Sequence, residues 1–301
     1  MIKSDYLKGV LAMLASAFGF AFMGAMIKLS GNIPVMQKTF FRNLIASSLA
    51  GFALYKEIKA VSKGDSSDTK FKLDKKESLM LAGRAIFGTI GLIANFYAID
   101  RMVISDAAIL NKLSPFFVII FSYMLLNEKP EVFQWKALIT AFLGTILVLR
   151  PSSSLFAGNL GPKLVGVMSG LCAGLAYTLM RILLLRSVSR PLIIFVFSAF
   201  STLLCVPFLI FNYYPMTTPQ LLMLIGAGLG ATLGQFGITT AYKYAPAKEL
   251  SVYDYTNIIF SALFSIFLLN QYPDRYSVAG YIVIIGSGVY MFFKQKKLSK
   301  H

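Results

Sequence analysis

The feature that most constrains this chain is an internal repeat. The stretch Ser105 to Pro130 recurs as Lys248 to Pro273, offset by 143 positions, so that Phe117 falls on Phe260, Phe121 on Phe264, Ser122 on Ser265 and Pro130 on Pro273. Polar positions recur in kind, with Asp106 falling on Glu249 and Asn111 on Asp254. Self-similarity of this length means that one structural unit has been used twice. Each copy is an apolar run of membrane-spanning length that opens near an acidic residue and carries polar side chains in its first half.

Composition says what kind of unit this is. Of 301 residues, 56% are hydrophobic and only 14% charged, and the mean hydropathy is +0.68, far from a soluble chain. A hydrocarbon core of about 30 Å needs roughly 20 helical residues per crossing. Lipid admits only helices and closed barrels, and these runs are too long and uniformly apolar for barrel strands. The expected fold is therefore an all-α integral membrane protein. Ten spans are read, near residues 7–27, 35–55, 78–99, 105–126, 130–150, 163–185, 191–211, 220–241, 248–269 and 276–293. Residues 1–151 form the first five-helix repeat, the Ser-, Gly- and Pro-rich stretch 152–162 is the linker, and 163–301 form the second repeat.

Lysine and arginine placement sets the orientation. With the N-terminus cytoplasmic, the loops and tails of that face collect nineteen basic residues against five on the other, so both termini are expected inside, in a plasma (inner) membrane. Five crossings per repeat is an odd number, so the second copy enters from the opposite side and the repeat is inverted. Span one aligns with span six at a shift of 157, as in Gly9 and Gly166, and the loop Lys56 to Lys76 supplies the extra length. That loop is the largest basic block of a chain whose net charge is +16, its seven lysines interleaved with Asp65, Asp68 and Asp74. Lying between two apolar spans, it reads as a topology signal facing acidic lipid headgroups, not as a nucleic-acid site.

Several chemistries find no residues. The only histidine is His301, which removes histidine metal sites and histidine bases from the interior. Cys172 and Cys205 lie in apolar runs and read as packing residues. No HExxH, GxSxG or P-loop motif occurs, and Gly226 to Ala231, which resembles part of a dinucleotide fingerprint, has no preceding strand. No cofactor, metal or enzymatic activity is expected. Leu7 to Ile27 reads as a retained span, because its end lacks a small-residue cleavage pattern.

Two glycine stripes mark close helix packing: Gly166, Gly170 and Gly174 in span six, and Gly226, Gly230 and Gly234 in span eight. A charge facing lipid costs at least about 2.5 kcal/mol, so intramembrane polar residues face the bundle or a water-filled cavity. Asp106 and Glu249 read as helix-start residues, beside exposed N–H groups. Asn111 and Asp254 lie about 7 Å deeper, beyond the reach of capping. Asp254, Tyr253 and Asn257 are expected to form one polar face of span nine, with Ser114 the repeat partner of Asn257. Arg42, about 10 Å inside, either holds a substrate carboxylate or pairs with an acidic side chain. Lys112 is either a counter-ion to Asp254 or a substrate ligand. Asn95, Tyr177 and Gln235 either bind substrate or bridge helices. Lys38, Arg84 and Arg181 read as anchors that snorkel to the membrane surface. Pro115 is the expected bend and gate of span four, and a proton on Asp254 is the expected coupling step.

The chain resembles the EamA-type branch of the drug/metabolite transporter superfamily. The matching pieces are Arg42 in FFRNLIA, Phe96-Tyr97-Ala98 closing span three, the Ala-rich start of span four leading to LSPFF with Pro115, and the pair Glu128-Lys129. The resemblance implies ten helices in two inverted five-helix bundles around a cavity lined by spans one, three, four, six, eight and nine. It implies small metabolites as substrates, such as amino acids or other amphiphilic compounds. Ile258 replaces Pro115 and Gln271 replaces Glu128 in the second copy, so the halves are not expected to gate alike. The expected function is secondary-active transport by alternating access; the alternatives are a channel or facilitator without ion coupling and, further off, a membrane-embedded lipid-modifying enzyme.

Overall fold

The computed structural model of the protein describes residues 2–63, 69–101, 104–152, 160–269 and 272–298. Among them there is no strand, and one isolated bridge joins Lys70 to Val188. The first repeat supplies α1 (Ile2–Leu29), α2 (Val35–Ser62), α3 (Lys75–Arg101), α4 (Ile104–Asn111), α5 (Ser114–Leu126) and α6 (Val132–Leu149). The second supplies α7 (Leu160–Leu185), α8 (Arg190–Asn212), α9 (Thr218–Tyr244), α10 (Ala247–Leu250), a 3₁₀ turn (Ser251–Tyr255), α11 (Thr256–Leu269) and α12 (Arg275–Leu298). Calls that fall on the side chains of Asp106 and Phe96, on Gln271, on His301 and on linker residues 153–159 lie outside the described residues.

Nine stretches among the described residues are long and apolar enough to cross a membrane. α2, read as a further crossing, is not among them. Its 28 residues exceed what a bilayer requires, and Gln37, Thr39, Arg42, Asn43 and Ser47, which lower its hydropathy, are buried in the bundle. Large apolar side chains such as Phe211, Leu203 and Phe52 point outward instead, as lipid requires. Helix starts follow their caps. Ser189 accepts the N–H of Leu192 ahead of Pro191, and Asp74 and Glu77 bond each other's backbone N–H groups reciprocally at the start of α3.

The inverted repeat is visible in which helices pair. α1 packs on α9 and α3 on α7; since α1 corresponds to α7 and α3 to α9, these are two copies of one contact. α2 packs on its own counterpart α8, and α6 on α12. Each of these pairings joins one helix from each repeat, so the halves are interleaved. Lipid offers no hydrophobic drive between helices, so close backbone approach matters. A Cβ placed on Gly19 of α1 would lie 2.6 Å from the Gly234 nitrogen of α9, so the two helices touch along their backbones there. The α7 stripe packs on α4 and α5, where a Cβ on Gly170 would come 3.0 Å from the Leu110 carbonyl.

Span four is broken between α4 and α5. Pro115, in the first turn of α5, has no N–H to give the Asn111 carbonyl, and the Leu113 N–H turns back to Leu110 at 3.2 Å. Span nine is broken too, as α10, the 3₁₀ turn and α11, although it has Ile258 where the first copy has Pro115. In register, Lys112 and Leu113 fall on Tyr255 and Thr256, where the 3₁₀ turn gives way to α11. The interruption is thus shared by both halves, and proline marks it in only one.

Candidate functional site

The two breaks face each other across the middle of the bundle. Lys112 Nζ lies 2.9 Å from Asp254 Oδ2, and Tyr255 donates its hydroxyl to the Lys112 carbonyl at 3.0 Å. Tyr255 is itself the repeat partner of Lys112, so each broken segment satisfies groups that the other's break exposes. Beside this contact lies a cavity of about 340 Å³.

Of the residues expected to bind substrate, Arg42, Asn95, Asn111, Lys112, Tyr177, Gln235, Asp254 and Asn257 line the cavity, together with Ser114. Asn111 donates to Ser169 at 3.1 Å and Asn257 to the Ala17 carbonyl at 2.9 Å, so both also bridge helices. The Oδ1 of Asn95 is buried and accepts no protein hydrogen bond. Arg42 is 4% exposed; its Nε points to the Met23 sulfur at 3.0 Å and its Nη1 to Asn43 Oδ1 at 3.4 Å. Of the two readings of Lys112, the counter-ion to Asp254 is the one seen.

Tyr253 does not line the cavity. It bonds the Tyr6 hydroxyl at 2.9 Å and lies against Gly288 of α12. The expected shared face with Asp254 and Asn257 assumed α-helical spacing, and the 3₁₀ turn Ser251–Tyr255 changes the phase. Glu249 lies in the first turn of α10, as expected of a helix-start residue.

Arg84 and Arg181 are not surface anchors. Arg84 is 2% exposed and lines the cavity, with Nη2 on Gln235 Oε1 at 3.2 Å and its guanidinium 4.1 Å from the Phe197 ring centre. Gly88 makes this possible, because a Cβ there would lie 2.2 Å from Arg84 Nη1. The side chain folds along α3 over this glycine, toward the membrane centre. An Arg with Gly one turn later was the available signal. Arg181 is buried and pairs with Glu128 at 3.2 Å, while its Nη1 donates to the Tyr242 carbonyl. Lys248 donates to the Lys129 carbonyl at 2.8 Å. These contacts tie the end of span four to the second repeat on the face that carries the termini.

A polar cavity between two broken helices of an inverted repeat is a transporter's architecture. The sequence pattern of the EamA-like transporter family matches residues 7–150 and 162–293. The chain belongs to the EamA-like transporter family. The Pseudopaline exporter CntI of Pseudomonas aeruginosa is 30% identical over 285 residues, covering 93% of this chain and 95% of that one. The S-adenosylmethionine uptake transporter of Rickettsia prowazekii is 22% identical over 74% of each chain. A solved crystal structure of a protein with 15% identity superposes with a TM-score of 0.76 over 96% of this chain and 97% of that one, a likeness of fold. This EamA-like chain is thus a multi-pass membrane protein of a family that moves small molecules, and the relatives named here are transporters, not enzymes.

Proposed function

We propose that the protein is a secondary-active carrier of small organic metabolites, amino acids or related amphiphilic compounds, that works by alternating access. The observation that carries this reading is the cavity at the meeting point of the two broken helices, floored by the Lys112–Asp254 pair. Arg42, Asn95, Asn111, Lys112, Tyr177, Gln235, Asp254 and Asn257 bind the solute. The break before Pro115 lets α5 move against α4, and a proton on Asp254 releases Lys112, which couples solute movement to a proton gradient. Units 1–151 and 163–301, joined through 152–162, supply the two sides of the cycle. The termini face the cytoplasm of a cell whose plasma membrane carries acidic lipids, as the lysine-rich loop requires. The relatives' names, one an exporter and one an uptake transporter, support a small-molecule substrate.

Counterflow in proteoliposomes tests this. A carrier loaded with unlabelled solute accumulates labelled solute transiently against its gradient, whereas a channel does not. Conductance without counterflow would refute the carrier.

A further inference from the structure

We propose that the cavity is charge-matched to an organic dianion, with one carboxylate or equivalent oxyanion held by Arg42 and another by Arg84. This rests on the reading of the cavity as the transport site, and narrows its solutes from amino acids and related amphiphiles in general to those that are dianions. Among the described residues, the charged ones that line the cavity are three cations, Arg42, Arg84 and Lys112, and one carboxylate, Asp254, a surplus of two positive charges. Lys112 has its partner in Asp254 at 2.9 Å. Neither arginine has an anion. Arg42 contacts a thioether and an amide oxygen; Arg84 contacts an amide oxygen and an aromatic face, and its buried Nε has no hydrogen-bond partner. Among the described residues no carboxylate pairs with either guanidinium, although both are more than nine-tenths buried.

Buried cations of one sign around one space repel each other and lack the water that would solvate them elsewhere. The guanidinium fork, unlike an ammonium, is shaped to take a carboxylate through two parallel bonds. A monocarboxylate leaves one cation unmatched. A zwitterion brings a further positive charge into a positive cavity. One dianion neutralises both arginines in a single binding event and leaves the Lys112–Asp254 pair intact. Phe20, Met23, Leu92 and Phe197 supply an apolar wall for the body between its charged groups.

Affinity selection tests the charge class. Purified protein is incubated with an equimolar mixture of small organic acids, amino acids and amines, from trianions to monocations, and retained compounds are read by mass spectrometry after gel filtration. Dianions are expected to be enriched over their monoamides by about 10- to 100-fold, the range for a hydrogen-bonded charged contact. Arg42→Gln and Arg84→Gln should each remove that margin and shift retention toward monoanions, while Arg84→Lys keeps the preference for dianions. Preferential retention of monoanions, zwitterions or cations by the unaltered protein, or retention of nothing, overturns the proposal without need of any variant. Counterflow with the retained compound separates the two readings. A dianion retained but not exchanged overturns the carrier and supports the charge class, whereas exchange of a zwitterion overturns the charge class alone.

Discussion

Replacing Gly88 with alanine should remove Arg84 from the cavity without unfolding the protein. The added methyl would sit 2.2 Å from Arg84 Nη1 and 2.8 Å from Phe197 Cε2. Both atoms are at the ends of side chains, so α3 and α8 can keep their backbones while the guanidinium swings out. Three terms decide the stability. Alanine gains about 1 kcal/mol of helix propensity over glycine. Loss of the cation–π contact with Phe197 costs about 0.5–2 kcal/mol. Release of a buried guanidinium without a counter-ion recovers part of its desolvation. The unfolding free energy should therefore stay within about 1 kcal/mol of the unaltered protein, by cancellation of those terms. Solute affinity should fall by about 10- to 100-fold with the lost charged contact. Gly237→Ala supplies the opposite case. Its methyl would meet the Ser16 nitrogen at 2.7 Å and the Ala12 carbonyl at 2.8 Å, backbone atoms that cannot rotate aside. Overpacking there should cost about 1–3 kcal/mol and leave the affinity of the folded fraction unchanged, since Gly237 is not a lining residue. Thermal unfolding in detergent and half-saturation in counterflow read the two effects. A Gly88→Ala protein that melts early but binds normally would show that the glycine serves packing and that Arg84 is not held for the solute.

Three further outcomes are expected. Asp254→Asn should abolish gradient-driven uptake in proteoliposomes; unchanged gradient-driven uptake would remove Asp254 from coupling. Glu128→Gln leaves Arg181 buried without its partner, a loss of about 3–5 kcal/mol for such pairs. It should raise the rate at which a thiol reagent added on the terminus-bearing face labels a cysteine placed at the buried Ser251, and an unchanged rate would show that the pair does not hold that face closed. Asp74 caps α3, and the backbone N–H of Glu77 holds its carboxyl below the usual aspartate range. A depressed value means that the cap stabilises fully above the unfolded aspartate range and is lost as pH falls through the folded one. The deficit of Asp74→Ala relative to the unaltered protein in hydrogen exchange at the start of α3 should then be present at neutral pH and vanish in strong acid.

The ten crossings and their inversion were legible because both rest on long-range statistics: run length, a register of 143 positions and the face on which lysines collect. Side chains on regular helices, as with Asn95, Tyr177 and Gln235, were legible only as far as a choice between binding substrate and bridging helices; the structure places all three in the cavity lining. What failed depended on local backbone phase or side-chain direction. Tyr253 was misplaced because a 3₁₀ turn replaces α-helix where no proline announces it. Arg84 was misjudged because long side chains on helices normally lean toward the N-terminus, and here a glycine one turn ahead lets it lie the other way. Arg181 was misjudged because its partner Glu128 is 53 positions distant in sequence.

The divergence of the two copies follows a rule once the cavity is known. Among the described residues, the cations of the lining, Arg42, Arg84 and Lys112, come from the first repeat and its carboxylate, Asp254, from the second, while neutral polar residues come from both. A symmetric scaffold bearing identical side chains would place like charges on both walls and repel itself. Splitting the cations and the carboxylate between the walls lets the halves attract through Lys112 and Asp254 while leaving two arginines for the solute. The faces have diverged as well. The pair Arg181–Glu128 closes the terminus-bearing face, but the repeat register sets Gly24 against Arg181 and Gln271 against Glu128, so the opposite face lacks the residues for a copy of that pair. Among the described residues, contacts that join the repeats there include the exposed pair Arg150–Asp274, the bonds between Gln37 and the Tyr214 backbone, and the bond from Gln220 to the Ser30 carbonyl. An exposed ion pair contributes about 0–1 kcal/mol, well below the cost of breaking a buried one. In the proposed cycle the buried Arg181–Glu128 pair is therefore a contact that must break before the terminus-bearing face opens.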